Sequence, residues 1–321
     1  QWTYAELDAA VTRGAGELLG RGLTAGDRVA TYGTNSDAYL IAFLACSRAG
    51  LVHVPINYML TGEELRYLLS DAGASLVLAD PALRGHADEL ALAPVAALRD
   101  ADDSFLAAVR DGDLPELPQA PDDVLVQLLY TSGTTSAPKG AMMTHRALTH
   151  EYYSCLHAFE MTAEDRPLHC MPLYHSAGMQ VMMLPYLAVG AENHLMEARK
   201  IGMIFLAPTV WVPLSQHPDF ATRDLSSLRK AIYGASIMPV PVLTKLSEAL
   251  PQLGFYNAFG QSEVGPLATV LGRGRTVRGI QRVIGTLLGV MITWAVLAFE
   301  PSPIVLIIVI GAIGSSANGF Q

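Results

Sequence analysis

Charged residues are scarce in this chain of 321 residues: they make up 16% of it, against a hydrophobic share of 51%. That balance excludes an intrinsically disordered chain and directs attention to apolar segments. Positive charge is the scarcer sign. The formal net charge of −9 argues against general affinity for nucleic acid or anionic lipid, so any anion must be held by a local site. Cysteine is nearly absent. Cys46, Cys155 and Cys170 are odd in number and lack metal-ligand spacing, which leaves neither a disulfide framework nor a zinc cluster and fits a reduced, cytosolic setting. The opening residues Gln1-Trp2-Thr3-Tyr4 show no basic region and no apolar core of a signal peptide. There is no initiator methionine either, so the start of the natural chain is expected to lie upstream. Internal repeats at solenoid periods and low-complexity tracts are also lacking.

Several catalytic patterns begin and then fail on spacing. His150-Glu151 opens an HExxH string, but Ser154 stands where the second histidine belongs, so no zinc-protease site forms. Gly260-Gln261-Ser262-Glu263 opens a nucleophile elbow, but Val264 replaces its last glycine. Gly272-Arg273-Gly274 does not extend to GxGxxG, because Val277 occupies the third glycine position.

What is present alternates between strand-like and helix-like patterns, and this predicts an α/β fold with parallel sheets wrapped by helices. Thr3 to Leu19 has helical spacing, Arg28 to Tyr32 reads as a strand, Asp37 to Arg48 as a helix and Leu51 to Val54 as extended. Thr61-Gly62-Glu63-Glu64 has the form of a capping box and predicts a helix through Ser70. Ser75 to Ala79 is the next strand. The stretch from Asp80 to Asp123 is rich in Ala, Asp and Pro and reads as a short helix followed by a surface connection. A length of 321 residues accommodates two or three domains or subdomains.

The most informative run is Tyr130-Thr131-Ser132-Gly133-Thr134-Thr135-Ser136-Ala137-Pro138-Lys139-Gly140, which follows the strand-like Val124 to Leu129. Small hydroxyl residues and glycine let backbone N–H groups crowd around an anion, and one lysine adds a mobile positive charge. It is not a Walker P-loop: Pro138 stands where that motif needs glycine, and Gly140 where it needs Ser or Thr. The pattern is nonetheless that of a loop made to hold nucleotide phosphates.

Taken with Asp27-Arg28-Val29-Ala30, Arg48-Ala49-Gly50, Pro172-Leu173-Tyr174-His175-Ser176-Ala177-Gly178, Ala207-Pro208-Thr209, Tyr233-Gly234-Ala235-Ser236 and Asn257-Ala258-Phe259-Gly260-Gln261-Ser262-Glu263, the run resembles the adenylate-forming superfamily. Over residues 3–271 the chain looks like the N-terminal domain of a fatty-acid-type acyl-CoA synthetase. The resemblance implies stacked α/β subdomains and ATP-dependent activation of a fatty or other carboxylic acid. An acyl-adenylate forms first, and its acyl group then passes to coenzyme A. It implies that Thr131, Ser132, Gly133, Thr134 and Thr135 wrap the β- and γ-phosphates, with Lys139 neutralising charge as pyrophosphate departs. Glu263 is the implied Mg²⁺ ligand. Asn257, Phe259, Gly260, Gln261 and Ser262 belong to the adenine and magnesium motif, with Phe259 where tyrosine is more usual and Ser262 keeping the hydroxyl of the usual threonine. Gly234, Ala235 and Ser236 would lie against adenine and the floor of the acyl pocket, and His175 would gate or orient beside it. The acyl chain length and the oligomeric state are not legible. A fatty-acyl-AMP ligase that stops at the adenylate is an alternative of the same family.

Two departures from the family pattern stand out. Relatives have a strand and a helix where this chain offers only Ala191 to Lys200, so one element of the second sheet is expected to be deleted. The resemblance ends near Leu271, and the ribose aspartate, the hinge and the small C-terminal domain with its α-phosphate lysine are not found in residues 272–321. That stretch instead carries Arg273, Arg275, Arg278 and Arg282, then an uncharged run from Val283 to Phe299, then Glu300-Pro301-Ser302-Pro303 and Ile304 to Ile313. The uncharged run makes about 26 Å of helix at ~1.5 Å per residue, just short of a ~30 Å hydrocarbon core. It is a candidate membrane contact over 283–314, with the arginines on the cytoplasmic side. Its Arg282-to-Gly289 pattern resembles membrane segments of fusaric-acid-resistance-type exporters. On that reading the chain is an inactive ligase fragment fused to a transporter or anchor piece.

Overall fold

The computed structural model describes residues 1–271 except 119–120, 122, 132–137, 196–200, 222, 235 and 262–264. Helix α1 (Tyr4–Gly20) starts at Thr3, whose hydroxyl accepts from the Glu6 amide at 3.2 Å while the Glu6 carboxylate accepts from the Thr3 amide at 2.7 Å. Strand β1 (Arg28–Tyr32), helix α2 (Asp37–Ala49) and strand β2 (Val52–Ile56) follow as a parallel β-α-β unit. Helix α3 (Gly62–Ala72) leads to β3 (Ala74–Ala79), and α4 (Pro81–Asp88) to β4 (Val95–Ala97). After α5 (Phe105–Arg110) come β5 (Leu125–Thr131) and the antiparallel β6 (Lys139–Thr144). The first sheet therefore runs β4-β3-β1-β2-β5-β6. Its central strands are buried on both faces, as a parallel sheet covered by helices requires. Val29, Leu76 and Leu78 pack with α1, α2 and Phe105 on one face, while Ala30, Tyr32, Val54 and Ile56 pack with Leu65, Leu68 and Leu69 of α3 on the other.

Helix α6 (His145–Ala158) and β7 (Pro167–Leu168) lead to a π-helix, Ala177–Met183, which continues as α7 (Leu184–Ala188). The remaining elements are β8 (Met203–Phe205), α8 (Pro208–Gln216), β9 (Lys230–Gly234), α9 (Val240–Ala249), β10 (Gly254–Gln261) and β11 (Gly265–Leu271). They build a second sheet, β11-β10-β9-β8-β7, parallel except for its β10–β11 hairpin. The π-helix lies where the two cores meet: Met179 and Met183 belong to the first, Val181 and Met182 to the second.

Two expectations need correction. Thr61 makes no side-chain cap on α3, because Gly62 follows it at φ +53° and turns the first residue of the helix into the left-handed region. The region 80–123 is more than a helix and a connection. It contributes strand β4, too short for a period-2 signal, and helix α5, which buries Phe105 completely. Between α7 and β8, His194 makes one isolated parallel bridge to Leu168. The apolar run 283–314 lies outside the described residues, and among those described no helix is long and apolar enough to cross a membrane.

Candidate active site

Strand β5, next to the edge of the first sheet, enters the phosphate-loop run, and the edge strand β6 leaves it antiparallel, with Thr131 paired to Lys139 as the last rung. The loop between them, with Ser132, Gly133, Thr134 and Thr135, lies outside the described residues. Its two stems are held by one face of α3. Asp71 accepts a 2.6 Å hydrogen bond from the Tyr130 hydroxyl, and the Tyr67 hydroxyl donates to the Pro138 carbonyl at 3.0 Å. Residues four apart on a helix project from the same side, so Tyr67 and Asp71 grip both ends of the loop at once. Burial and then the Asp71 carboxylate push the Tyr130 phenol well above its ordinary value, keeping it a donor. Lys139 is exposed, which leaves its ammonium accessible to an anion.

The second group of candidates sits at the carboxyl ends of β9 and β10, the end of a parallel sheet where ligands bind. The register pairs Asn257 with Tyr233 and Ala258 with Gly234. A Cβ on Gly234 would lie 2.5 Å from the Ala258 carbonyl oxygen, so only glycine allows this approach. Phe259 pairs with Thr269 on β11 and is 38% exposed. Ser236 and Gly260 are exposed, and Gln261 closes the β10–β11 hairpin opposite Gly265. Ala235, Ser262 and Glu263 lie outside the described residues.

His175 stands between these groups in sequence and is held in a tight turn. Its amide donates to Pro172 O at 3.1 Å, and its carbonyl accepts from the amides of Gly178 and Met179 at 3.0 and 3.2 Å. A Cβ at Gly178 would meet Pro172 O at 2.3 Å. The Ala177 amide donates to His175 Nδ1 at 3.2 Å, which places the ring proton on Nε2. His175 is exposed at the surface, yet the protein around it lowers its pKa by desolvation. The ring is thus a neutral hydrogen-bond donor suited to orienting a ligand oxygen.

Asn35, just past β1, was not legible as a site residue. Its side chain donates to Met171 O at 2.8 Å and accepts from the Leu173 amide at 2.7 Å, clamping the segment that leads to His175. The Tyr174 ring packs edge-on against Tyr58 at 5.7 Å. The turn-forming Gly33-Thr34-Asn35-Ser36 was the available signal, but nothing local names a partner well over a hundred residues away. A cavity of about 670 Å³ opens elsewhere, between α1, α2 and α7, lined by Leu7, Val11, Leu44, Arg48, Leu184 and Leu187 among others. None of the candidate residues lines it, so it does not mark this site.

Residues 1–293 match the AMP-binding enzyme family, and the chain belongs to that family. The match runs past the Leu271 at which the resemblance was seen to end. Residues 268–321 match a second family, the fusaric acid resistance protein-like proteins. Among relatives, a feruloyl-CoA synthase of Amycolatopsis sp is 34% identical over 290 residues, covering 87% of this chain and 58% of the relative. An indoleacetate–CoA ligase of Aromatoleum aromaticum is 31% identical over 288 residues, covering 83% and 56%. The structure of apo MatB from Rhodopseudomonas palustris superposes with a TM-score of 0.76 at 27% identity, covering 84% of this chain and 56% of that one. The chain thus spans somewhat over half the length of these relatives.

Proposed function

We propose that this chain is most of the nucleotide- and acid-holding part of an ATP-dependent acid–thiol ligase. In that reaction a carboxylate oxygen attacks the α-phosphorus of ATP and pyrophosphate leaves. The thiol of coenzyme A then attacks the acyl carbon and AMP leaves. The observation that carries the reading is the β5–β6 hairpin: in a member of the AMP-binding family it sets Thr131 opposite an exposed Lys139 at the mouth of a Ser-Gly-Thr loop. That donor set suits a triphosphate, an accessible ammonium beside hydroxyls and glycine. On this reading Thr131 to Thr135 and Lys139 hold phosphates, Glu263 holds Mg²⁺, and the exposed Phe259 ring stacks on the base. Gly234, Ala235 and Ser236 line the base and acyl floor with Asn257, Gly260, Gln261 and Ser262 around them, while His175 orients the acid.

The acid is a hydrophobic carboxylic acid, and the motif set favours a fatty acid. An aryl acid is the second reading, because two relatives are named for ferulate and indoleacetate. Pyrophosphate release from ATP by the 321-residue chain, assayed with octanoate, palmitate, ferulate and indoleacetate, separates these. We expect acid-dependent release slower than the ordinary ~1–1,000 per second, since residues 272–321 supply neither a ribose aspartate nor an α-phosphate lysine in the family's pattern. Release indifferent to every acid would remove the reading.

The match of residues 268–321 to the fusaric acid resistance protein-like family, with the uncharged run Val283 to Phe299, supports a separate reading of the tail as a membrane segment. Fractionation of cells expressing the chain should then find it with membranes, and recovery as a soluble monomer would count against that.

A further inference from the structure

A continuous hydrogen-bonded chain of side chains crosses the interior from the first sheet to α6. The Tyr152 hydroxyl donates to Gln180 Oε1 at 2.6 Å, and Gln180 Nε2 donates to Gln127 Oε1 at 2.9 Å. Gln127 Nε2 lies 3.3 Å from His53 Nδ1, and His53 Nε2 lies 3.0 Å from Thr31 Oγ1. Since the Gln127 amide can only donate to His53, the imidazole proton sits on Nε2 and is given to Thr31. Every bond then points the same way, a geometry in which each polarises the next. Thr31, His53 and Gln180 are 0% exposed and Gln127 is 1% exposed. At that depth an unpaired polar group has no water to turn to, so each link depends on its neighbours for its hydrogen bonds. His53 is further boxed edge-on by Tyr39 and Phe43 at 5.8 and 5.4 Å.

The location gives the chain its consequence. Thr31, His53 and Gln127 lie on the adjacent strands β1, β2 and β5, and β5 runs on into Tyr130 and Thr131 at the phosphate loop. Gln180 lies inside the π-helix, the segment that follows directly on the His175 turn. A π-helical turn holds its wider winding at a cost and recurs at functional sites. Gln180 is the one polar side chain of Ala177–Met183, and both ends of its amide are spoken for, one by β5 and one by α6.

We propose that Gln180 is a positioning residue: through Gln127 and Tyr152 it fixes the π-helix on strand β5, and so sets where the His175 imidazole stands relative to the phosphate-loop hairpin. The role of that imidazole in acid activation rests on the function proposed above, but its placement by Gln180 does not, and the test needs no ligand.

The experiment is histidine-selective ¹⁵N NMR of the full chain, with the His175 signal assigned by its loss in His175→Gln. In the unaltered protein His175 shows the Nε2-protonated tautomer and titrates below the ordinary ~6.5 of imidazole. Gln180→Met keeps length and removes both polar ends. With the circular dichroism unchanged, the titration midpoint of His175 should rise toward the ordinary value and the fixed tautomer should give way to exchange. Tyr152→Phe removes a single hydroxyl and no packing, and should move His175 the same way by less. A general loss of stability would not alter the tautomer of one histidine in a folded protein. His175 signals unchanged in either folded variant would overturn the proposal. Failure of acid-dependent pyrophosphate release with these shifts intact would count against the function alone.

Discussion

Thr131 and Lys139 face each other as the final rung of the β5–β6 ladder. The backbone ladder therefore fixes the Cα positions of a hydroxyl residue and a lysine at the entrance of the Ser-Gly-Thr loop, and the exposed lysine side chain is left to reach for an anion. The rung is anchored from outside by α3, whose Tyr67 and Asp71 bind Pro138 and Tyr130. Loop stems fixed in this way keep their shape without a ligand, which lowers the ordering cost of binding an anion.

Removing the α3 grip should loosen the hairpin without unfolding the protein. In the double variant Tyr67→Phe and Asp71→Ala, amide hydrogen exchange at Tyr130, Lys139 and Gly140 should accelerate several-fold. Global stability should fall by about 1 kcal/mol or less, because both hydrogen bonds lie at the surface. Exchange unchanged at these amides would show that the sheet alone fixes the loop.

Gly178 should be intolerant of even one methyl group. With its Cβ position 2.3 Å from Pro172 O, Gly178→Ala must push the His175 turn open, at a cost of about 1–3 kcal/mol. Gly85, in helix α4 with nothing within 4 Å of the same position, is the control: Gly85→Ala should stabilise by about 0.5–1 kcal/mol. Urea midpoints that move alike in the two variants would contradict this.

The pH dependence of stability should carry a mark of Glu151. Desolvation raises its pKa to about 7, although its carboxylate accepts from the Leu267 amide at 2.6 Å and from the Cys155 thiol. A carboxyl with a raised folded-state pKa binds its proton more tightly in the native than in the unfolded chain. Its contribution to stability is therefore complete below the unfolded value of ~4.5 and is lost as pH rises through about 7. Asp80 runs the other way. Burial opposes its charge, but Arg99 and Thr34 outweigh that and lower its pKa, so its contribution is lost only in acid. Glu151→Gln should raise the urea midpoint at pH 8 and leave it nearly unchanged at pH 5, with a difference on the order of 3 kcal/mol at most. Equal effects at both pH values would place the raised pKa in doubt.

Elements with strong local periodicity were legible in the sequence: α1, β1, α2, β3 and β5 fall within a few residues of where the pattern puts them. The strand leading into the phosphate-loop run was legible from its apolar residues, whereas the Gly234-Ala235-Ser236 turn, read unaided, is an ordinary loop and was singled out through the resemblance alone. What was not legible depends on partners far along the chain. Asn35 reaches Leu173, Tyr67 reaches Pro138, and Gln127 reaches both His53 and Gln180. A buried glutamine in an apolar run looks in sequence like an irregularity, and only the assembled fold shows that two such glutamines satisfy each other. The Thr61 cap failed for the opposite reason: its local pattern was right, and Gly62 took a conformation that the pattern does not encode.

The most direct measurement is calorimetric titration of the full chain with ATP and Mg²⁺, beside Lys139→Ala. Loss of one charge-assisted contact is worth about 1.5–3 kcal/mol, so the variant should bind roughly ten- to a hundredfold more weakly. Because Lys139 is exposed, its unfolding midpoint should stay where it was. Equal affinities in the two proteins, or no ATP binding by the unaltered chain, would contradict the assignment of the β5–β6 hairpin as a triphosphate site.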